Sequence, residues 1–165
     1  MTTANPRPWW KGARGEWLLV AQVLLCILII FGPRRIGGQP AWPFPFGRAC
    51  PAAGRALMLA GGFLFLAGWI RLGRGLTALP YPRHGATLVQ TGPYALVRHP
   101  MYGGLLALGF GWTLLVQSWL TLAYVVMLFV LLDFKSRREE RWLTERFPAY
   151  RTYQQRVRRL VPFVY

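Results

Sequence analysis

The chain has 165 residues, 54% of them hydrophobic, and its mean hydropathy of +0.29 is high for a soluble domain. This length allows one domain but not two substantial ones, so we treat residues 1–165 as a single domain. The formal net charge of +15 would ordinarily indicate nucleic acid or an anionic membrane surface as the partner. The basic residues flank apolar blocks without a nucleic-acid-binding motif, so the charge favours a membrane protein and argues against nucleic-acid binding.

The first two apolar blocks are of membrane-spanning scale. The first, Trp17–Phe31, is followed by a Gly-Pro-Arg-Arg sequence that offers no small-residue cleavage site. We therefore interpret this block as a retained helix rather than a signal peptide. The second block is Ala56–Ile70. Cys26 lies inside the first block and Cys50 in the connection between the two, a placement that predicts neither a disulfide framework nor a metal site.

A longer apolar stretch, Met101–Phe134, contains few polar residues. As one helix it would be ~50 Å long, too long for a single crossing of a ~30 Å hydrocarbon core. It folds best as a tight helical hairpin that turns near Gln117 and Ser118. The sequence therefore predicts an all-α integral membrane protein with about four transmembrane helices, the third and fourth forming the hairpin. A fifth or re-entrant segment remains an open alternative.

The chain changes character after Phe134. Large apolar residues recur there at steps of three and four among arginines: Trp142, Leu143, Phe147, Tyr150, Tyr153, Val157 and Leu160. This pattern is typical of an amphipathic helix at a membrane interface. We predict a C-terminal amphipathic interfacial tail that Pro148 divides into two short helices, the second starting at Pro148.

The distribution of basic residues predicts the orientation of the spans. With both termini inside, sixteen of the twenty Lys and Arg residues lie on the cytoplasmic side, as the positive-inside rule requires. The hairpin turn carries none of them. The loop before Met101 and the tail then face the same compartment. We therefore predict a multi-pass protein of a bacterial cell membrane, with both termini and any active site on the cytoplasmic side.

The loop before the third span contains candidate binding residues. Gly92-Pro93 predicts a turn, and Pro100, which lacks a backbone N–H, fits the first position of the third transmembrane helix. His99 then lies at the mouth of that helix, where free N–H groups and the charge of Arg98 suit an anion such as a carboxylate. The alternative without a binding function is that Arg98 and His99 form only a basic anchor at the membrane boundary.

Glycines recur in the second and third spans and indicate close approach of the two helices. Gly103 and Gly104 differ from the others because they lie one turn inside the helix that starts beside the candidate loop. We predict that the missing side chains there leave space for a ligand.

Glu139 and Glu140 are two of only five acidic residues, and they lie within a basic run of the tail. Mutual neutralisation on a solvated helix face would explain them. However, near anionic lipids a helix gains more from arginine than from glutamate, so the acids indicate a cationic or hydroxyl-rich partner. Together with His99 they suit a zwitterionic ligand that carries a carboxylate, an amine and a ribose.

Several short motifs in the second half of the chain occur at a characteristic joint spacing. They are Leu88-Val89, Gly92-Pro93-Tyr94, Arg98-His99-Pro100-x-Tyr102, and Glu139-Glu140 followed by Leu143, Phe147, Tyr150, Tyr153 and Pro162. This pattern resembles the isoprenylcysteine carboxyl methyltransferase family, which belongs to a wider group of integral-membrane methyltransferases that includes phospholipid N-methyltransferases. The resemblance covers residues 72–165, the cofactor-binding loop, hairpin and tail, whereas residues 1–71 match only as two generic spans.

The resemblance implies S-adenosyl-L-methionine as the methyl donor. The cofactor contacts that it implies are Thr87, Leu88, Val89, Tyr94, His99, Pro100, Met101, Tyr102 and Glu139. The catalytic residues that it suggests are Glu139, Glu140, Lys135 and Arg138. Lys135 stands where such enzymes place an arginine near the substrate carboxylate, and lysine keeps the charge but loses the bidentate fork. Which of the two glutamates contacts the cofactor stays open, and Glu140 would serve as a general base only for an amine acceptor.

The resemblance favours methyl transfer at the membrane to the carboxylate of a prenylcysteine-like compound. A phospholipid amine or a thiol is the alternative acceptor. Two other functions stay open: an NADPH-dependent membrane reductase of related fold, and a non-enzymatic membrane subunit that only packs helices. The expected partners are the lipid bilayer and a lipidic or small-molecule acceptor, with the oligomeric state undetermined.

Overall fold

The computed structural model describes residues 16–37, 42, 49–73 and 88–165. The helices in these ranges are α1 (Glu16–Phe31), α2 (Ala49–Leu72), α3 (Pro93–Leu96), α4 (Pro100–Val116), α5 (Trp119–Arg146) and α6 (Tyr150–Arg156). No strand is formed within the described ranges, which agrees with the predicted all-α class.

Helices α2 and α4 pack closely because glycines from each face the other's backbone. A Cβ added at Gly61 would lie 2.8 Å from the carbonyl oxygen of Gly104, and one at Gly104 would lie 2.6 Å from that of Gly61. Gly54 and Gly111 form a second reciprocal pair, in which a Cβ added at either glycine would lie 2.7 Å from the carbonyl oxygen of the other. Any side chain larger than hydrogen would force the backbones apart, so the predicted close approach is confirmed.

Helices α4 and α5 form the predicted hairpin. Helix α4 ends at Val116, and Gln117 adopts the left-handed conformation, with φ of 48°. Ser118 then caps α5, its hydroxyl accepting a hydrogen bond from the backbone N–H of Thr121 at 3.1 Å. A serine N-cap satisfies one of the free donors of a helix start, so the turn expected at Gln117 and Ser118 follows from local chemistry.

Among the described residues, two helices are long and apolar enough to cross a membrane: the Cys50–Leu72 part of α2, and α5. Helices α1 and α4 are apolar but shorter, with 16 and 17 residues. The four spans predicted from sequence are therefore matched by two candidates of full length. Because the 28 residues of α5 extend ~42 Å, beyond a ~30 Å core, we take its membrane-spanning part to end with its apolar run at Phe134.

Some predicted boundaries are wrong. Helix α5 continues without a break from the apolar run through the acidic pair to Arg146, where a separate tail was expected. The second tail helix begins at Tyr150 rather than at Pro148. Phe147 is extended, with φ of −122° and ψ of 102°, as the residue before a proline tends to be, and the turn after it delays the next helix. Helix α2 begins seven residues earlier than predicted, at Ala49.

Candidate active site at the start of α4

The start of α4 brings His99 and Tyr102 together. Pro100 occupies the first turn, as predicted, and His99 is the N-cap residue, although its side chain makes no capping hydrogen bond. The imidazole stacks instead on the Tyr102 ring, with centroids 5.3 Å apart and planes within 5°. His99 is only 7% exposed, so its ring nitrogens depend on protein partners or a ligand.

Glu139 of α5 contacts both of these aromatic side chains. The Tyr102 hydroxyl donates to Glu139 Oε2 at 3.0 Å, and His99 Nδ1 lies 3.7 Å from the same oxygen. Burial raises the pKa of the Glu139 carboxyl, and the neighbouring His99 and the Tyr102 hydrogen bond oppose this rise. The side chain keeps a quarter of its surface exposed. The two stretches that the sequence singled out therefore meet at this carboxylate.

Glu140 lies at the centre of a second hydrogen-bond network, which also contacts His99. Arg98 contacts it with both arms of its guanidinium: Nε donates to Oε1 at 2.8 Å and Nη2 to Oε2 at 3.2 Å. Gln154 Nε2 donates to Oε2 at 3.1 Å. Burial opposes ionisation, but the hydrogen bonds from His99 and Arg98 outweigh it and lower the pKa of Glu140 to about 2. Glu140 is therefore an ionised, internally paired carboxylate.

This network orients the imidazole. His99 Nε2 lies 3.1 Å from Glu140 Oε1. An ionised carboxylate only accepts hydrogen bonds, so Nε2 must carry the proton that it shares with Glu140. His99 Nδ1 is thereby turned towards Glu139. Of the two adjacent glutamates, Glu140 fixes the ring and Glu139 lies beside the ring's other nitrogen.

Lys135 is buried, with 1% exposure, one turn before Glu139 on α5. Its ammonium donates to Gln22 Oε1 at 2.7 Å and lies 5.2 Å from the centre of the Tyr102 ring. Gln22 was not among the predicted site residues. A lone amide within the apolar α1 was nevertheless a usable signal, because polar groups in a membrane span usually have a partner or a function. Arg138, the other predicted cation, lies over the Trp142 ring at 5.1 Å.

Replacing Gln22 by leucine is expected to destabilise the protein by about 1–3 kcal/mol, because the buried Lys135 ammonium loses its hydrogen-bond acceptor. Thermal unfolding of the purified protein in detergent measures the loss. Adding Lys135→Met should recover part of it, since the double variant no longer buries an unpaired charge. Strictly additive losses from the two substitutions would contradict this coupling.

The loop before α3 borders a cavity of about 390 Å³, lined by Arg71, Leu88, Val89, Gln90 and Thr91. Two of the predicted cofactor contacts, Leu88 and Val89, are thus on its wall, whereas Thr87 lies outside the described residues. Arg71, missed as a site residue, donates through Nε to the Thr91 hydroxyl at 3.1 Å. Gly92 permits the turn that follows, with φ of 65°.

Tyr94 connects this loop to the helices. It is buried, and its hydroxyl donates to the carbonyl oxygen of Gly68 on α2 at 3.4 Å. Burial raises the pKa of Tyr94, and the negative charge of Glu139 raises it further. Pro100 and Met101 pack against the same Gly68, where an added Cβ would meet their side chains at 3.0 and 3.2 Å.

The space expected at Gly103 and Gly104 is filled by protein, so the prediction that it admits a ligand is wrong. A Cβ on Gly103 would collide with the carbonyl oxygen of Leu160, and one on Gly104 would lie 2.7 Å from the backbone nitrogen of Phe65. Both glycines serve backbone packing. Sequence spacing could not show this because Leu160 reaches Gly103 only through tertiary folding.

A family model described as phospholipid methyltransferase matches residues 49–150. The chain belongs to this family. The match begins with α2 and ends at the first residue of α6, so it includes both the loop at His99 and the pair at Glu139. It confirms the resemblance drawn from the motifs, because this family of integral-membrane methyltransferases includes the isoprenylcysteine carboxyl methyltransferases.

A longer relative is also similar to this member of the phospholipid methyltransferase family. The cobalt-zinc-cadmium resistance protein CzcN of Cupriavidus metallidurans is 30% identical over 156 residues. The similarity covers 90% of this chain and 62% of CzcN. The chain thus spans less than two thirds of that relative's length.

Proposed function

We propose that the protein transfers the methyl group of S-adenosyl-L-methionine to an acceptor at the membrane, most favourably the carboxylate of a lipidic, prenylcysteine-like compound. The family membership supports a membrane methyltransferase. One observation carries the site assignment: the Tyr102 hydroxyl donates to Glu139 at 3.0 Å beside the stacked His99, which joins the two motifs in one place.

The residues present fit this zwitterionic cofactor. A cavity of about 390 Å³ beside the loop is within the range of small-molecule pockets, and Glu139 is not among the residues that line it. Leu88 and Val89 offer it apolar walls and Arg71 a guanidinium suited to a carboxylate. Glu139, partly exposed, offers an acceptor for an amine or for ribose hydroxyls. We therefore assign cofactor contact to Glu139 rather than to Glu140, whose oxygens are engaged by Arg98, His99 and Gln154.

The chain's own task in this reaction is positioning and the exclusion of water. The bound cofactor would supply a methyl group already activated on a sulfonium, and a carboxylate or thiolate acceptor needs no general base. Glu140 is poorly suited to that role, since its pKa of about 2 leaves it a weak base that is already hydrogen-bonded. Glu140 is therefore not the base that a phospholipid amine acceptor would need.

We further propose that the acceptor reaches the site from the bilayer on the cytoplasmic side. The basic residues that follow the α5 apolar run support this orientation under the positive-inside rule. Lys135 lies one turn from Glu139 and carries the positive charge that would attract an acceptor carboxylate.

Thermal stabilisation by S-adenosylhomocysteine, compared with NADPH, tests the cofactor. At ~100 times its dissociation constant a true ligand should add about 2.7 kcal/mol of stability. Glu139→Gln should weaken S-adenosylhomocysteine binding about 10- to 100-fold, through loss of a charged hydrogen-bond partner. Glu145→Gln, an exposed acid on the same helix, is the matched control and should bind normally.

Transfer of labelled methyl to prenylcysteine, phospholipid amine and small-thiol acceptors then separates the substrates. Stabilisation by NADPH alone would replace the methyltransferase proposal with a reductase. Stabilisation by neither ligand would leave the non-enzymatic subunit as the better account.

A further inference from the structure

The segment formed by residues 157–160 lies beyond the family match, which ends at residue 150. It runs beside the loop that leads into α4. The backbone N–H of Arg98 donates to the carbonyl oxygen of Arg158 at 2.8 Å, and that of His99 donates to Arg159 at 3.0 Å. The backbone of the candidate site is thus held by the segment that follows α6.

The Arg159 side chain connects this segment to α5. Its Nη1 donates to Asp133 Oδ1 at 2.9 Å, and its Nε lies 3.4 Å from Glu140 Oε2. Asp133 and Glu140 are seven residues apart, so they lie two turns apart on one helix face. Nε is buried and has no hydrogen-bond partner within the described residues, so its interaction with Glu140 is electrostatic.

Arg159 therefore acts on His99 in two ways. Its carbonyl oxygen fixes the His99 backbone, and its guanidinium adds positive charge beside the carboxylate that orients the His99 ring. A carboxylate held from several sides keeps one position, which a hydrogen-bonded imidazole then shares.

We propose that Arg159 is a positioning residue for the site formed by His99, Tyr102 and Glu139, acting through Glu140 and the His99 backbone. The 157–160 segment is then part of the site, and it determines the orientation of the imidazole as well as the path of the chain. This inference rests on the proposed function only for its effect on cofactor affinity.

The test compares Arg159→Met with Arg159→Lys in the full-length protein. The matched control is Arg156→Met, which removes the same charge from an exposed position on α6. The chain has two histidines, so a His84→Gln background leaves His99 as the single source of imidazole signals in nuclear magnetic resonance of labelled protein. Two further readouts are thermal unfolding and the dissociation constant of S-adenosylhomocysteine.

Arg159→Met should shift the His99 ring nitrogen signals and raise the dissociation constant about tenfold, a loss typical of one charged contact. Arg159→Lys should restore part of both effects, because lysine keeps the charge without the planar fork. Arg156→Met should change neither.

A lower melting temperature with unchanged His99 signals in Arg159→Met would overturn the proposal. Arg159 would then stabilise the fold without orienting the His99 ring. Where Arg159→Met does not fold, Arg159→Lys decides in the same way: unshifted His99 signals contradict the proposal, and shifted ones support it. Failure of the wild-type protein to bind S-adenosylhomocysteine would count against the proposed function instead, and the His99 signals would still decide the positioning role.

Discussion

Replacing Glu140 by glutamine is expected to lower the free energy of unfolding by about 3–5 kcal/mol, because the change breaks a buried ion pair from one side. The Arg98 and Glu140 side chains are only 8% and 6% exposed, and the pair is bidentate. Removal of the carboxylate charge leaves the Arg98 guanidinium buried without its counter-ion. Thermal or chemical unfolding of the purified protein in detergent measures the loss.

The effect of Glu140→Gln should depend on pH. Since the folded state lowers the pKa of Glu140 from 4.5 to about 2, its contribution is fully present above pH 4.5 and is lost as the pH falls towards 2. The stability difference between the wild type and Glu140→Gln should therefore narrow across this window. Glu145→Gln, exposed on the same helix, should change stability by less than about 0.5 kcal/mol. Equal losses from the two variants would contradict a central role for the Glu140 network.

Gly103→Ala should be the second strongly disruptive substitution. The new methyl group would collide with the Leu160 carbonyl, which is backbone and cannot rotate away as a flexible side chain could. Overpacking of this kind costs about 1–3 kcal/mol or displaces one partner. Displacement of Leu160 would also pull on the neighbouring Arg159, whose carbonyl holds His99. We therefore expect reduced stability together with weaker binding of S-adenosylhomocysteine.

Gly62→Ala provides the matched control on the neighbouring helix. An alanine Cβ there would meet its nearest neighbour, Leu108 Cδ2, at an ordinary contact distance of 3.9 Å. Because alanine favours helix over glycine by up to about 1 kcal/mol, this variant should be as stable as the wild type or more so. Thermal unfolding and ligand binding of both variants complete the comparison. A Gly103→Ala protein as stable as Gly62→Ala would show that the 157–160 segment packs differently.

Local chemistry explains which parts of the fold were predictable. Pro100 and Ser118 mark helix starts through their own backbone and hydroxyl groups, so both positions were confirmed. The end of α5 was not predictable from its hydropathy. The helix continues past Phe134 because arginine, lysine and glutamate are good helix formers, and backbone hydrogen bonding does not require an apolar face.

The candidate site was predictable only in part, because local sequence signals do not identify partners that are distant in the chain. The motifs placed His99, Tyr102 and Glu139 in one site, and the structure brings these side chains together. The partners that hold them, Gln22 and Arg159, come from distant parts of the chain. A single sequence contains no distance between such residues, so their contribution emerges only when α1 and the 157–160 segment pack against α5 and the loop.

The sequence by itself determined the apolar blocks, the turn signals at Gly92 and Pro100, and the motif spacing that marks a membrane methyltransferase family. Only the tertiary structure separated the roles of the adjacent glutamates. Neighbouring positions on a helix point in directions about 100° apart, so Glu140 turns into the buried basic network and Glu139 towards Tyr102. Both residues are glutamates, and they differ only in the neighbouring charges and the solvent exposure that the fold gives to each.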